Sequence, residues 1–413
     1  MSRLLAVSWE MPPMYGPRGS QVSATLRELA VHGWAPSVVC LAPRPGGAHW
    51  PDGATIAAPP GVELVRVPSP EEWLVCRAAR RIAPVLWRFP DDKRIWVNRA
   101  VTAARAQVSQ REFSGLITFA QPWSDHLIGL RLRRIERLPW VAHFSDPWVD
   151  SPYLEGPEWQ RRMWRGMERA VIEEADAVVF VTREAADLVM AKYPDSWRAK
   201  VAVVPHGYDP RVVDRGQTRG TSGPMRMVYA GRFYRGLRTP AALLHALASL
   251  HRRQSLTGTL DLVLMGPSVE AYRRDVSGLG LDSIVRLEPR RPRDEAARIA
   301  ADADVLVVID APSTGPSVFL PSKLVDYLAF RKPILGLTPI GGASAKLLAR
   351  LGFQAVPPDN VSAIAANLHV LLERWRAGAL DVPASFDEVA TEFDIRRTTA
   401  QLEAILDRTC RAA

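Results

Sequence analysis

Arg232, Arg235 and Arg238 place three guanidinium groups in the stretch GRFYRGLRTP, between an apolar run that ends at Ala230 and a helical pattern that begins near Thr239-Pro240. The sequence predicts a cationic loop joining a strand to a helix start, an arrangement suited to a diphosphate whose negative charge grows as a bond to it breaks. A second such place is Pro321-Ser322-Lys323. Pro321 fixes φ, Ser322 offers a capping hydroxyl, and Leu324, Tyr327 and Leu328 recur at helical spacing. Lys323 and the first-turn amides then form an anion site, with Asp326 one turn further on. The preceding loop, Ser313 to Ser317, offers further hydroxyls and amides.

Carboxylate and imidazole groups gather in the first half of the chain. The run LPWVAHFSDPW reads as a strand that delivers His143, Asp146 and Trp148 to its carboxyl end, where a parallel sheet presents reactive groups. Asp146 is followed by the φ-restricted Pro147 and by Trp148 as an aromatic wall, which suits the holding of an acceptor hydroxyl. His126, after Ser124-Asp125 near a helix start, is a further candidate for acceptor contact. Near the N-terminus, Gly16 and Gly19 flank a loop before a helix capped by Ser20 or Ser23, and they permit close approach of a phosphate or sugar. Each feature also has a purely structural reading: a solvated arginine loop, a satisfied core histidine, a plain glycine turn.

Positioning these groups takes strands ending at the right places. Runs bounded by Pro and Gly predict strands at Leu4 to Ser8, Pro36 to Leu41, Gly115 to Phe119, Trp140 to Phe144, Ala177 to Val181 and Val201 to Val204. A second series covers Met227 to Ala230, Leu260 to Met265, Val285 to Glu288, Val305 to Ile309 and Ile334 to Leu337. Helical patterns alternate with them, so the chain reads as α/β with parallel sheets in two domains. The expected boundaries are 1–208, a linker at 209–224 containing Gly216, Gly220 and Gly223, a second domain at 225–385, and a helical segment at 386–413 that crosses back to the first domain. Such domains bind ligands at the carboxyl ends of their strands.

Composition narrows the partners. The 413 residues are 47% hydrophobic with a net charge of +9, which fits a globular protein with anionic partners. Neither zinc-ligand spacing nor an RNA-binding aromatic motif is seen, so nucleic acid is not expected. Cys40, Cys76 and Cys410 are too few and too scattered for a disulfide framework or metal knuckle, and a reducing cytoplasm is expected. No segment reaches the roughly 18 apolar residues of a spanning helix. A basic helical stripe between Glu71 and Arg111, with Arg77, Arg81 and Arg88 on its flank, suits peripheral contact with an anionic leaflet.

In order, the glycine loop, Asp146-Pro147-Trp148, Pro205-His206-Gly207, the Arg232 loop and Pro321-Ser322-Lys323 resemble the motifs of family 4 glycosyltransferases with the GT-B fold, of the bacterial surface-polysaccharide type. The resemblance covers nearly the whole chain. It implies two Rossmann-like domains around a donor cleft, and retaining transfer from a nucleotide diphosphate sugar to a glycan, lipid-linked or small-molecule acceptor. It makes Arg232, with Arg235 or Arg238, the donor diphosphate clamp. It also implies that cations replace a metal, with no cofactor beyond the nucleotide sugar. Two departures stand out: His206 stands where the family has Asn, and Val318 where it has the first of two Glu residues, Asp326 taking the second position. A sugar-nucleotide epimerase of the same fold and a catalytically silent binding subunit are the alternatives.

Overall fold

The structure, a computed structural model, describes residues 2–14, 16–44, 57–70, 89–212, 223–234 and 236–411. It divides into two compact units, Met1–Gly207 with Ile395–Ala413, and Tyr208–Asp394.

In the first unit seven parallel strands are ordered β3-β2-β1-β4-β5-β6-β7. They are β1 (Ser2–Val7), β2 (Trp34–Leu41), β3 (Glu63–Val67), β4 (Gly115–Ala120), β5 (Trp140–Phe144), β6 (Ala177–Phe180) and β7 (Val201–Val203). β3 escapes the sequence reading because Glu-Leu-Val-Arg-Val is a short edge strand, largely half-buried, without an apolar run. One face packs Leu4, Ala6, Val38, Ile117, Phe119 and Val141 against Val22, Leu26 and Leu29 of the helix Pro17–Val31. Leu402, Ile405 and Leu406 of the helix Ile395–Arg411 complete that core. The returning segment starts at Ile395 rather than 386, because Phe386, Val389, Ala390 and Phe393 belong to a core of the other unit.

The second unit has six parallel strands in the order β10-β9-β8-β11-β12-β13. They are β8 (Met225–Ala230), β9 (Leu260–Met265), β10 (Val285–Glu288), β11 (Val305–Ile309), β12 (Ile334–Leu337) and the two-residue β13 (Ala355–Val356), too short to read from sequence. Cores lie on both faces, as the near-continuous apolar strands require. The order reverses between β1 and β4 in the first sheet and between β8 and β11 in the second, so each unit has a crevice position at the carboxyl ends of those strands. Most of the expected linker, and the stripe carrying Arg77, Arg81 and Arg88, lie outside the described residues, as does Arg235.

Candidate active-site residues

At the β8/β11 switch point the chain turns directly into the arginine loop. Gly231 donates its N–H to Met265 (2.8 Å), and a Cβ on Gly266 would lie 1.9 Å from the Gly231 carbonyl oxygen, so two strand-end glycines let these loops touch. Arg238 folds back on its own loop: Nη2 donates to the Arg232 carbonyl (3.1 Å) and the guanidinium lies 4.9 Å from the Tyr234 ring centroid. Its Nε is buried without a partner among the described residues. The Tyr229 hydroxyl donates to the same carbonyl, and Arg232 itself is exposed.

Lys323 enters from the short helix Ser322–Tyr327. Its Nζ is buried, lies 3.8 Å from the Tyr229 ring centroid, and has no hydrogen-bond partner among the described residues. A Cβ at position 231 would come within 1.9 Å of that nitrogen, so glycine there is what admits the ammonium. Burial drives the lysine pKa well below its usual value, and the Arg238 cation adds to the fall. Asp310, at the end of β11, pulls the other way but is itself occupied by the Thr338 hydroxyl (2.8 Å), and burial raises its pKa. Neither Asp310 nor Gly266 was singled out by sequence. An unpaired buried ammonium is costly, and a bound anion would offset that cost.

The helix begins differently from expectation. Pro321 is the N-cap and no side chain caps it, so Ser322 is the first helical residue. Asp326 is exposed on that helix, and the Tyr327 hydroxyl accepts the Ala230 N–H (3.0 Å), tying the helix to the end of β8. The loop before it is fixed by its backbone: Ser317 O accepts the Ala343 N–H (2.8 Å), and a Cβ on Gly342 would meet Ser317 at 2.6 Å.

The β1/β4 switch point of the first unit is centred on Arg18, which sequence did not single out. Arg18 follows Pro17 at the start of its helix and crosses to the end of β5, where Nη2 lies 3.1 Å from His143 Nδ1 and 3.3 Å from the His143 carbonyl oxygen. The guanidinium sits 5.5 Å from the Phe119 ring centroid, and its Nε has no partner among the described residues. Burial lowers its pKa to about 10 against the pull of Asp146, Asp125 and Glu10. His143 is nearly stacked on His206, with ring centroids 6.4 Å apart. Burial, then the Arg18 charge, holds the His143 pKa well below normal and that of His206 down at about 3. Both border a cavity of about 20 Å³, with Gln21, Thr25 and Thr398. Asp146 accepts from Gln121 Nε2 and Ser145 Oγ (both 3.3 Å), and burial raises its pKa while Arg18 opposes the rise.

Three expectations need correction. Trp148 is fully buried and stacked on Trp123 (5.0 Å, 3° between planes), so it belongs to the core rather than forming a wall for an acceptor. His126 is also fully buried, its Nδ1 2.7 Å from Thr118 Oγ1 and its ring 4.3 Å from that of Phe144, so it is a core residue. Gly16 and Gly19 accommodate the chain's own Glu10. Gly19 N–H donates to Oε2 (3.3 Å), and a Cβ on Gly16 would lie 2.2 Å from that oxygen. Gly16 is also the N-cap, which leaves Ser20 and Ser23 inside the helix.

Comparison with known proteins agrees with this architecture. Residues 19–207 match the glycosyl transferase 4-like domain. A D-inositol 3-phosphate glycosyltransferase of Corynebacterium kroppenstedtii is 26% identical over 225 residues, 47% of this chain and 49% of that protein. The chain thus spans about half the length of the curated relatives it matches. Over whole chains, sucrose-phosphate synthase from Thermosynechococcus elongatus superposes with a TM-score of 0.75 at 16% identity, covering 100% of both. A glycosyltransferase from Rickettsia africae does so with a TM-score of 0.66 at 13% identity, covering 100% of this chain and 99% of that one. These likenesses establish the GT-B fold.

Proposed function

We propose that this chain, which belongs to the family 4 glycosyltransferases of the GT-B fold, transfers a sugar with retention from a nucleotide diphosphate sugar to a hydroxyl acceptor. The observation that carries the reading is Lys323: a buried ammonium with no hydrogen-bond partner among the described residues, beside a helix start and the Arg232 to Arg238 loop. A diphosphate would supply the missing acceptors, and charge on it rises as the glycosyl bond breaks, so the same contacts would favour the transition state over the ground state. In this reading Lys323 and Arg238 hold the diphosphate, with Arg232 adding charge at the exposed rim.

The acceptor is assigned to the N-terminal unit, where Asp146 and His143 offer hydrogen bonds to a hydroxyl. Its oxygen forms the new bond to the anomeric carbon on the face the diphosphate leaves, and its proton passes to the departing phosphate oxygen. No protein group then has to remove that proton outright. Bacterial glycoconjugate or polysaccharide synthesis is the setting we infer, with a glycan, a lipid-linked sugar or a small polyol as acceptor. The last is favoured by the likeness to enzymes named for inositol phosphate. The enzyme works at the cytoplasmic side, with peripheral contact at an anionic membrane.

A thermal-shift panel of UDP-, GDP- and dTDP-sugars tests the donor. A ligand at 100 times its Kd adds about 2.7 kcal/mol of stability. Arg232→Ala should shrink that response, and a variant with parental nucleotide affinity by calorimetry would remove Arg232 from the clamp. Nucleotide release that needs an added acceptor identifies a transferase, whereas conversion of the donor to its sugar epimer with no acceptor present identifies an epimerase. Transfer that persists in EDTA is expected, and loss restored by Mg²⁺ or Mn²⁺ would overturn charge neutralisation by Lys and Arg.

A further inference from the structure

We infer that Arg18 is a positioning residue that fixes His143 as its neutral Nε2–H tautomer, so that His143 donates a hydrogen bond to the substrate and does not take its proton. Arginine carries only donors. With Nη2 at 3.1 Å, His143 Nδ1 must present its lone pair, and in a neutral ring the proton then sits on Nε2. Imidazolium would set an N–H at Nδ1 against a guanidinium N–H, and burial of the ring also disfavours the charge. The one competitor is the ring's approach to its own carbonyl, which favours an added proton. Nη2 donates to that carbonyl as well (3.3 Å), so such a proton would face a donor on the same side.

The remaining nitrogen, Nε2, has no hydrogen-bond partner among the described residues, and the ring borders the small cavity. Phe119, 5.3 Å away between centroids, and Arg18, held over the same ring, keep the imidazole in place. The other titratable groups acting on the ring are His206 and His126, and the carboxylates acting on Arg18 are Asp146, Asp125 and Glu10. The role in transfer rests on the function proposed above; the tautomer does not.

The two parts are tested separately. In the full chain with ¹⁵N-labelled histidine, long-range ¹H–¹⁵N correlation, assigned through the signal lost in His143→Gln, should show the Nε2–H pattern for His143 from pH 5 to 9. An Nδ1–H pattern or an imidazolium would overturn the assignment. Arg18→Met should mix the tautomers, and Arg18→Lys, which keeps charge, guards against loss of fold in the first variant. For transfer, His143→Gln places an amide N–H near Nε2 and His143→Asn places one near Nδ1. Gln should retain at least about tenfold more kcat than Asn; equal losses, or better rescue by Asn, would refute donation through Nε2. If no nucleotide sugar is turned over by the parent chain, the proposed reaction fails while the tautomer is still decided by the spectra.

Discussion

Both sheets place a buried cation at the carboxyl end of a reversed strand order, and the two cations are treated oppositely. Arg18 meets acceptors from its own unit, donating twice to His143 with the charges of Asp146, Asp125 and Glu10 around it. Lys323 meets an aromatic face, a second cation and the charges of two carboxylates, Asp310, already occupied by Thr338, and Asp326, with no hydrogen bond to either. The same topology has been filled in one unit to give a fixed hydrogen-bonding surface and in the other to leave a deficit of negative charge. In the proposed reading the first serves hydroxyls and the second a diphosphate. Strand order therefore determines where a ligand group sits, while local pairing determines what its charge must be.

The largest effect should come from the core of the first unit. Trp148→Ala removes a fully buried, stacked ring and should lower stability by about 3–5 kcal/mol. Calorimetry should find nucleotide affinity kept wherever the variant remains folded. A stable variant that instead loses only transfer would restore Trp148 to the acceptor site. Next, Lys323→Met keeps the stem and removes the ammonium; turnover should fall by about 10² to 10³ with the melting temperature unchanged or raised. Unchanged turnover would mean that the charge deficit in the second unit has no ligand.

A smaller loss is expected from Asp146→Asn, about 10- to 100-fold in kcat with donor affinity kept, since orientation of a hydroxyl rather than donor charge is at stake. Weakened donor binding would instead place this carboxylate on the wrong side of the comparison. A further effect is in pH. His206 is held at about 3 in the folded chain against an ordinary value of 6.5. Its neutral form therefore contributes stability that is complete above pH 6.5 and declines as pH falls towards 3, because the unfolded chain binds the proton first. His206→Asn should flatten acid destabilisation over that window by up to about 1 kcal/mol per pH unit. The buried carboxylates Asp125 and Asp146 act with the opposite sign, so the difference between variant and parent is what must be measured.

What was legible in sequence was what is local. Apolar runs closed by Gly and Pro marked eleven of the thirteen strands among the described residues, and the sequence placed Arg238 and Lys323 at loop and helix starts. Arg18 was not legible, because its meaning lies in a contact with His143, 125 positions away, and a lone arginine after a proline has no signature. Trp148 and His126 were misread for a related reason. A strand-end tryptophan and a helix-start histidine look alike whether they face ligand or core, and only the packing of Trp123, Phe144 and Thr118 around them decides. Glu10 filling the glycine loop was likewise invisible, since glycine accommodates a carboxylate of the same chain as readily as a phosphate.

The helix Ile395–Arg411 has a consequence for synthesis. Its Leu402, Ile405 and Leu406 are buried beside Leu4, Ala6 and Ile117, and a Cβ on Gly115 would lie 2.6 Å from Cys410 Sγ. On the ribosome, the sheet of the first unit must wait for residues 395–411 before its core can close, whereas 208–394 is continuous and can fold as it emerges. The first unit therefore closes after the continuous one has emerged, and until then its apolar face stays open to wrong contacts. A fragment ending at residue 394 would keep that face permanently uncovered.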